Sequence, residues 1–228
     1  MAWQPLESNP EVMTKYIQRA GVSDDIQVVD VFGLDPDILA IVPQPTYSLI
    51  LLFPCSDIYE KFKADEEEML KDKDQKIPSS TFFMKQITPN ACGTIALVHG
   101  ILNNLDEIKL KDGILKDFIE KAASLSPLER GDLLDKMGSI IDLHKEVAAE
   151  GQTEAPPAEE KIIHHFVAFV HKEGNLLELD GRKFGPINHG PTTPETFLAD
   201  AAKVCKTFMT RDPEEVRFTI VAISRDQN

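Results

Sequence analysis

HHFVAFVHKEGNLLELD, residues 164–180, reads as two extended runs around a turn. HHFVAFV (164–170) and LLELD (176–180) are rich in the branched and aromatic residues that pack on a pleated surface, and Lys172-Glu173-Gly174-Asn175 supplies the turn chemistry between them. The hairpin fixes more than a strand pair. If residues 172–175 form the loop, His171 faces Leu176 and Val167 faces Asp180. Asp180 then lies diagonally from His165 on one sheet face, within reach of a hydrogen bond. A tighter turn centred on Gly174-Asn175 would place Asp180 opposite Phe169, too far away. The register therefore decides whether this segment holds a histidine–acid pair.

The rest of the chain gives that hairpin a setting. Asn9-Pro10-Glu11 has the form of a helix N-cap, a first-turn proline and a first-turn acid, and Gly21 closes the helix. IQVVDVF (26–32) and TYSLILLF (46–53) read as strands, the second apolar enough to be central. Asp35-Pro36 opens a short helical turn. DIYEKFKADEEEMLKDKDQK (57–76) reads as a solvated helix fraying into a loop. Residues 91–104 form a helix that is apolar nearly all round, and so buried. GILKDFIEKAAS (113–124) is amphipathic, and Ser126-Pro127-Leu128-Glu129 is a capping box that starts another helix. AEGQTEAPPAEE (149–160) is a long loop. Thr193-Pro194-Glu195 starts a helix running to about Met209, and VRFTIVAIS (216–224) is a closing strand. Helices and strands interleave without a βαβ period, which predicts an α/β or α+β domain with one sheet between helices.

Composition narrows the function. The 228 residues carry a formal charge of −14, which disfavours nucleic acid and anionic membrane as partners and favours a basic one. No apolar run is long enough to span a membrane, and the N-terminal residues do not have the form of a signal peptide. A cytoplasmic protein is expected, with the nucleus as a second compartment. Three cysteines, Cys55, Cys92 and Cys205, are odd in number and never in CxxC spacing, against a disulfide framework or a structural zinc site.

KQITPNACGTIALVHG (85–100) puts Cys92 at the mouth of the buried helix. With Asn90 as cap, Cys92 sits at the second helical position, where free N–H groups and the positive dipole end favour a thiolate. Gln86 offers a side-chain NH₂ that could hold an oxyanion together with the Cys92 backbone N–H. A packed core cysteine explains this stretch equally well. Among six histidines, His99 reads as packed, His144 as lying on a helical surface and His189 as lying in a loop. Strand alternation scatters His164, His165 and His171, which disfavours a metal hydrolase built on them.

Taken together, QITPNACGTIALVH, HFVAFV, LLELDGRKFGPINHG and FMTRDPEEVRF resemble the ubiquitin carboxyl-terminal hydrolases, small cysteine deubiquitinases, over essentially the whole chain from PLESNPEV onward. The resemblance implies a papain-like fold with an antiparallel sheet flanked by helices and a knotted backbone, in one domain spanning 1–228 with an active-site crossover loop at about 149–160. It implies Cys92 as nucleophile, His165 as general acid and base, Asp180 as the group orienting His165, and Gln86 as oxyanion donor, with no cofactor and no metal. The implied partner is ubiquitin, or its relative NEDD8, cut after its C-terminal glycine by a monomeric enzyme that releases small adducts or unstructured peptides. Contacts to ubiquitin are implied for Pro5, Leu6, Glu7, Ser8, Asn9 and Pro10, and for Ala149, Glu150, Gly151, Gln152, Thr153, Glu154 and Ala155. They are implied also for the stretch ending at Phe218 with Arg211 and Asp212. The rival reading is a binding protein that stabilises free ubiquitin without turnover of consequence.

Overall fold

Local signals set the element boundaries. The Ser126 side chain accepts from Glu129 N while Glu129 reaches back to Ser126 N, the reciprocal capping box expected there. The Asn9 side chain accepts from the backbone of Glu11 and Val12. A computed structural model describes residues 3–152 and 163–227. In chain order its elements are α1 (Pro10–Arg19), β1 (Ile26–Asp30), α2 (Pro36–Leu39), β2 (Thr46–Pro54), α3 (Asp57–Leu70), α4 (Cys92–Leu102), α5 (Ile114–Ala122), α6 (Pro127–Lys136) and α7 (Gly138–Ala148). They continue with β3 (His164–Lys172), β4 (Asn175–Leu179), β5 (Ile187–Pro191), α8 (Phe197–Thr210) and β6 (Thr219–Arg225). Thr153, Glu154, Ala155 and the remainder of the expected crossover to residue 160 lie outside the described residues.

The described strands form one antiparallel sheet in the order β1-β6-β2-β3-β4-β5. β2 is central and almost wholly buried, as its apolar run predicts. Alternation along it feeds two cores. Ile50 joins Phe166, Ala168 and Val170 in the core beneath α1, α4, α5 and α7. Leu49, Leu51 and Phe53 join Val167 and Phe169 in the core beneath α8. The α/β class, with helices on both faces of one sheet, holds.

The hairpin has the predicted register, with His171 opposite Leu176 and Ala168 opposite Leu179. Its turn is tighter than four residues. Lys172 still pairs with Asn175, and the two central residues, Glu173 and Gly174, have φ of 47° and 79°. Two left-handed residues twist the chain to match the strands, and a glycine takes the second at no cost.

Other boundaries differ from expectation. α8 begins at Phe197 rather than after Thr193, because hydrogen bonds among Thr192, Thr193 and Thr196 hold that segment as a turn. His189 lies in β5, not in a loop. His144 is buried, not superficial. Its ring nitrogens meet Gln4 O at 2.6 Å and Thr94 Oγ1 at 2.8 Å, and Trp3 lies over its ring.

Candidate active site

Cys92 opens α4, every residue of which is buried. The close fit to the sheet depends on two glycines. A Cβ on Gly100 would stand 2.8 Å from Ser48 Oγ and Ile223 Cδ1, and one on Gly93 would stand 3.0 Å from Leu6 Cβ. The helix start is not capped as expected. Asn90 adopts φ 65° and donates its side-chain amide to Trp3 O, so Ala91 takes the cap position and Cys92 is the first helical residue. The first N–H groups of a helix lack an intrahelical acceptor wherever the cap falls, so the dipole argument survives the shift.

His165 is the second residue of β3 and lies opposite Phe53 of β2. His165 Nε2 stands 2.7 Å from Asp180 Oδ1, one residue past the end of β4, and both groups are buried. Asp180 accepts twice more. Tyr59 Oη donates to Oδ2 at 3.2 Å, and Arg182 N donates to Oδ1 at 2.8 Å. Phe53 meets the imidazole edge-to-face, with centroids 5.9 Å apart. With Nε2 committed to Asp180, Nδ1 is the nitrogen left to act on the thiol.

The electrostatics agree with that division. Burial pushes the Cys92 thiol up, but hydrogen bonding to His165, the imidazole charge and the backbone of Phe166 and Gly93 outweigh it, so its pKa falls below the ordinary 9.0. Burial works against the His165 cation, yet the Asp180 charge and hydrogen bond, with Cys92, raise it to about 9. Burial raises Asp180 too, but His165, Lys183 and Arg182 N bring it well below the carboxylate range. Both displacements favour the thiolate–imidazolium form of the pair. The other thiols run the opposite way. Burial raises Cys55 to about 12 and Cys205 further.

Gln86 reaches the site through the turn after Asp180. Its N–H donates to Gly181 O at 2.9 Å, and a Cβ on Gly181 would stand 3.0 Å from Gln86 N and Cβ. Gln86 Nε2 donates to Thr88 O at 3.1 Å, while Oε1 is buried with no partner among the described residues. An amide NH₂ carries two donors, and Thr88 takes one.

The expected partner-binding segments fall in two places. The segment from Pro5 to Pro10 packs beside the nucleophile, with Leu6 buried and lying against the Gly93 position. Glu7 accepts from Gln152 N at 2.7 Å, which joins it to the stretch Ala149, Glu150, Gly151 and Gln152. Ser8 and Asn9 are half-buried at the start of α1. Arg211 turns inward. Its guanidinium lies 3.7 Å from the ring centroids of both Phe62 and Phe208, and Asp212 and Phe218 are half-buried as well.

Sequence reading missed Tyr59, Glu66 and Lys183. Lys183 is fully buried, with its ammonium on Glu178 at 2.5 Å and on Glu66. A signal was there. Residues 59, 60, 63, 66 and 67 lie on one helical face, and all of them are at least partly buried.

Among the described residues no three His, Cys, Asp or Glu side chains are grouped to hold a metal. His171 Nε2 accepts instead from Gly174 N.

Residues 3–210 match the family model described as "Ubiquitin carboxyl-terminal hydrolase, family 1". A Drosophila melanogaster ubiquitin carboxyl-terminal hydrolase is 55% identical over 227 residues, covering 100% of this chain and 99% of that one. The human ubiquitin carboxyl-terminal hydrolase isozyme L1 is 40% identical over 226 residues, covering 99% of each. The crystal structure of the Trichinella spiralis UCH37 catalytic domain bound to ubiquitin vinyl methyl ester is similar with a TM-score of 0.78 and 25% identity, covering 99% of this chain and 97% of that one. On the model match, the full-length identity and the fold together, the chain belongs to family 1 of the ubiquitin carboxyl-terminal hydrolases.

Proposed function

We propose that Cys92, His165, Asp180 and Gln86 carry out thiol-dependent hydrolysis of the bond after the C-terminal glycine of ubiquitin. The observation that carries the reading is the buried constellation: Cys92 opens α4 and hydrogen-bonds to His165, whose Nε2 stands 2.7 Å from Asp180 Oδ1. The Cys92 thiolate attacks the glycine carbonyl. The Cys92 N–H at the helix start and the second N–H of Gln86 Nε2 receive the oxyanion. His165 gives the proton on Nδ1 to the leaving amine as the tetrahedral intermediate collapses to a thioester. It then takes a proton from water, which attacks the thioester and frees the ubiquitin carboxylate and the thiol. Asp180 holds the imidazole through Nε2 and stabilises its charged form.

A folded partner fits the surface. Phe32, 79% exposed, lines a groove of about 550 Å³ together with Leu34, Met209 and Phe218. Exposed apolar residues around a groove suit an apolar patch on a small folded protein. The net charge of −14 suits a basic tail. No helix of the described residues is long and apolar enough to cross a membrane, and cytoplasmic action is proposed.

Ubiquitin vinyl methyl ester, followed by intact and peptide mass spectrometry, tests the reading. One adduct on Cys92 and none on Cys92→Ser is expected. Labelling of Cys55 or Cys205 instead would overturn it. NEDD8 bearing the same electrophile, run in parallel, measures the preference between the two modifiers.

A further inference from the structure

The charge-rich helix α3 does not behave as a solvated helix. Its inner face is spent on one short turn, residues 180–184, which begins with the catalytic acid. Tyr59 Oη donates to Asp180 Oδ2. Glu60 pairs with Arg182, and Glu66 with the buried ammonium of Lys183. Glu67 Oε1 accepts from Phe184 N at 3.3 Å. The spacing 59, 60, 66, 67 is one side of a helix over two turns, so a single rigid element meets four successive features of that turn. The turn touches the other side of the site as well, because Gly181 O accepts the Gln86 N–H.

We propose that α3 is the positioning element of this active site: Tyr59 on Asp180 and Glu66 on Lys183 hold the 180–184 turn in the one placement that aims Asp180 at His165 and seats Gln86. The inference rests on the catalytic roles given above. Tyr59 and Glu66 are positioning residues, since neither contacts the bond that is cut. Fixing the turn matters because a carboxylate aims an imidazole only while its own angle is held, and a strand end with no cross-strand partner at Asp180 does not hold it. The Tyr59 hydroxyl takes the carboxylate oxygen that His165 leaves open. Lys183 N also donates to Asp180 O at 3.0 Å, so a displacement of the Lys183 side chain is passed to the backbone of the acid.

Three variants and one substrate, ubiquitin-amidomethylcoumarin, test this. Active sites are counted beforehand with ubiquitin vinyl methyl ester, so that misfolded protein does not enter kcat. Tyr59→Phe keeps the ring and its packing and removes only the donor. It should lower kcat about fivefold at unchanged KM. Glu66→Ala should lower kcat about tenfold, and Glu66→Gln, which keeps an acceptor for Lys183, should recover most of that loss. Unchanged kcat per counted site in Tyr59→Phe and Glu66→Ala would overturn the proposal and leave α3 as a structural strap. A rise in KM at constant kcat would overturn it equally, because it would place α3 on substrate binding. If Glu66→Ala does not fold, Tyr59→Phe decides alone. Failure of the underlying catalytic reading is separate, for it would show as hydrolysis persisting in Cys92→Ser.

Discussion

The two helices that serve the site, α4 and α3, hold their residues by opposite physics. α4 buries all eleven of its residues, and its glycines let its backbone press onto Ser48, Ile223 and Leu6. Cys92 is therefore placed by van der Waals contact, which is short-ranged and indifferent to charge. α3 buries only Tyr59 among its residues and reaches Asp180 and its turn through a phenol and carboxylates. The acid is placed by hydrogen bonds and buried charge, which depend steeply on angle and on protonation. The nucleophile needs a fixed origin for the new bond, and packing supplies that. The acid needs a direction, and hydrogen bonds supply that. The same division separates the thiols. Burial, helped by nearby carboxylates, raises Cys55 and Cys205. Arg182 donates to the Cys55 sulfur without reversing that rise, whereas His165 reverses it at Cys92.

The largest expected effect removes chemistry and leaves both kinds of support alone. Cys92→Ser changes one atom at the start of a packed helix. It should cost at least about three orders of magnitude in hydrolysis of ubiquitin-amidomethylcoumarin, with little change in Tm. A large drop in Tm would mean that packing around Cys92 is tighter than its surroundings show.

Asp180→Asn attacks the polar side. The amide can still accept from His165 Nε2 and Arg182 N, so the fold should persist, but the charge that raises His165 to about 9 is gone. A rate loss of about a hundredfold is expected, smaller than that of His165→Ala. The pH profile carries a clearer signature. The imidazolium form is active, so the alkaline limb of kcat/KM should lie near pH 9 in the parent and move toward 6.5 in the variant. An unmoved limb would show that Asp180 does not set the charge of His165.

Much of this was legible because it is local. The 164–180 register, one of two that the turn residues allow, brings Asp180 to the same sheet face as His165. The Ser126 capping box is complete within four residues, and the apolar run of β2 marks it as central. What escaped depends on distant partners. Asn90 reads as a cap, yet its amide is taken by Trp3 O. His144 is enclosed by Gln4 and Trp3, which its own helix does not reveal. The acids of α3 read as solvated because Arg182 and Lys183 lie more than a hundred residues away. Local patterns report propensity and period, whereas a polar clamp is written only in the tertiary fold.

Gly100→Ala tests the packed side. The added Cβ meets Ser48 Oγ and Ile223 Cδ1 at 2.8 Å, and Ser48 Oγ already donates to Phe169 O. The Ile223 methyl can turn aside, but Ser48 Cβ, 2.9 Å away, cannot move without its strand, so about 1–3 kcal/mol of stability should be lost in urea denaturation. The kcat per titrated site should fall little if α4 shifts as a rigid body.

The smallest effect separates the two regions by pH. His99 lies within α4, stacked on Phe83, with Nε2 accepting the Met84 N–H at 3.1 Å. Burial lowers it to about 4 from 6.5. The folded protein keeps it neutral while the unfolded chain takes up a proton. Its contribution to stability is therefore complete above pH 6.5 and is lost as pH falls toward 4. Beside α3, burial raises Glu178, but Lys183 and His189 outweigh it and bring the carboxyl to about 2. That contribution is complete above the unfolded value of 4.5 and is lost only as pH falls from there toward 2. Between pH 6.5 and 4.5 the packed helix is thus the one that weakens. Other histidines titrate in the same range, His144 with the same sign and His165 with the opposite one, so the informative quantity is a difference between variants. Stability by urea denaturation at pH 7.5 and 5.5 should drop by about 1 kcal/mol less in His99→Gln, whose side chain can still accept from Met84, than in the parent. Glu178→Gln should leave the drop unchanged. Equal drops in the parent and His99→Gln would mean that α4 is no more sensitive to mild acid than the clamp that holds Asp180.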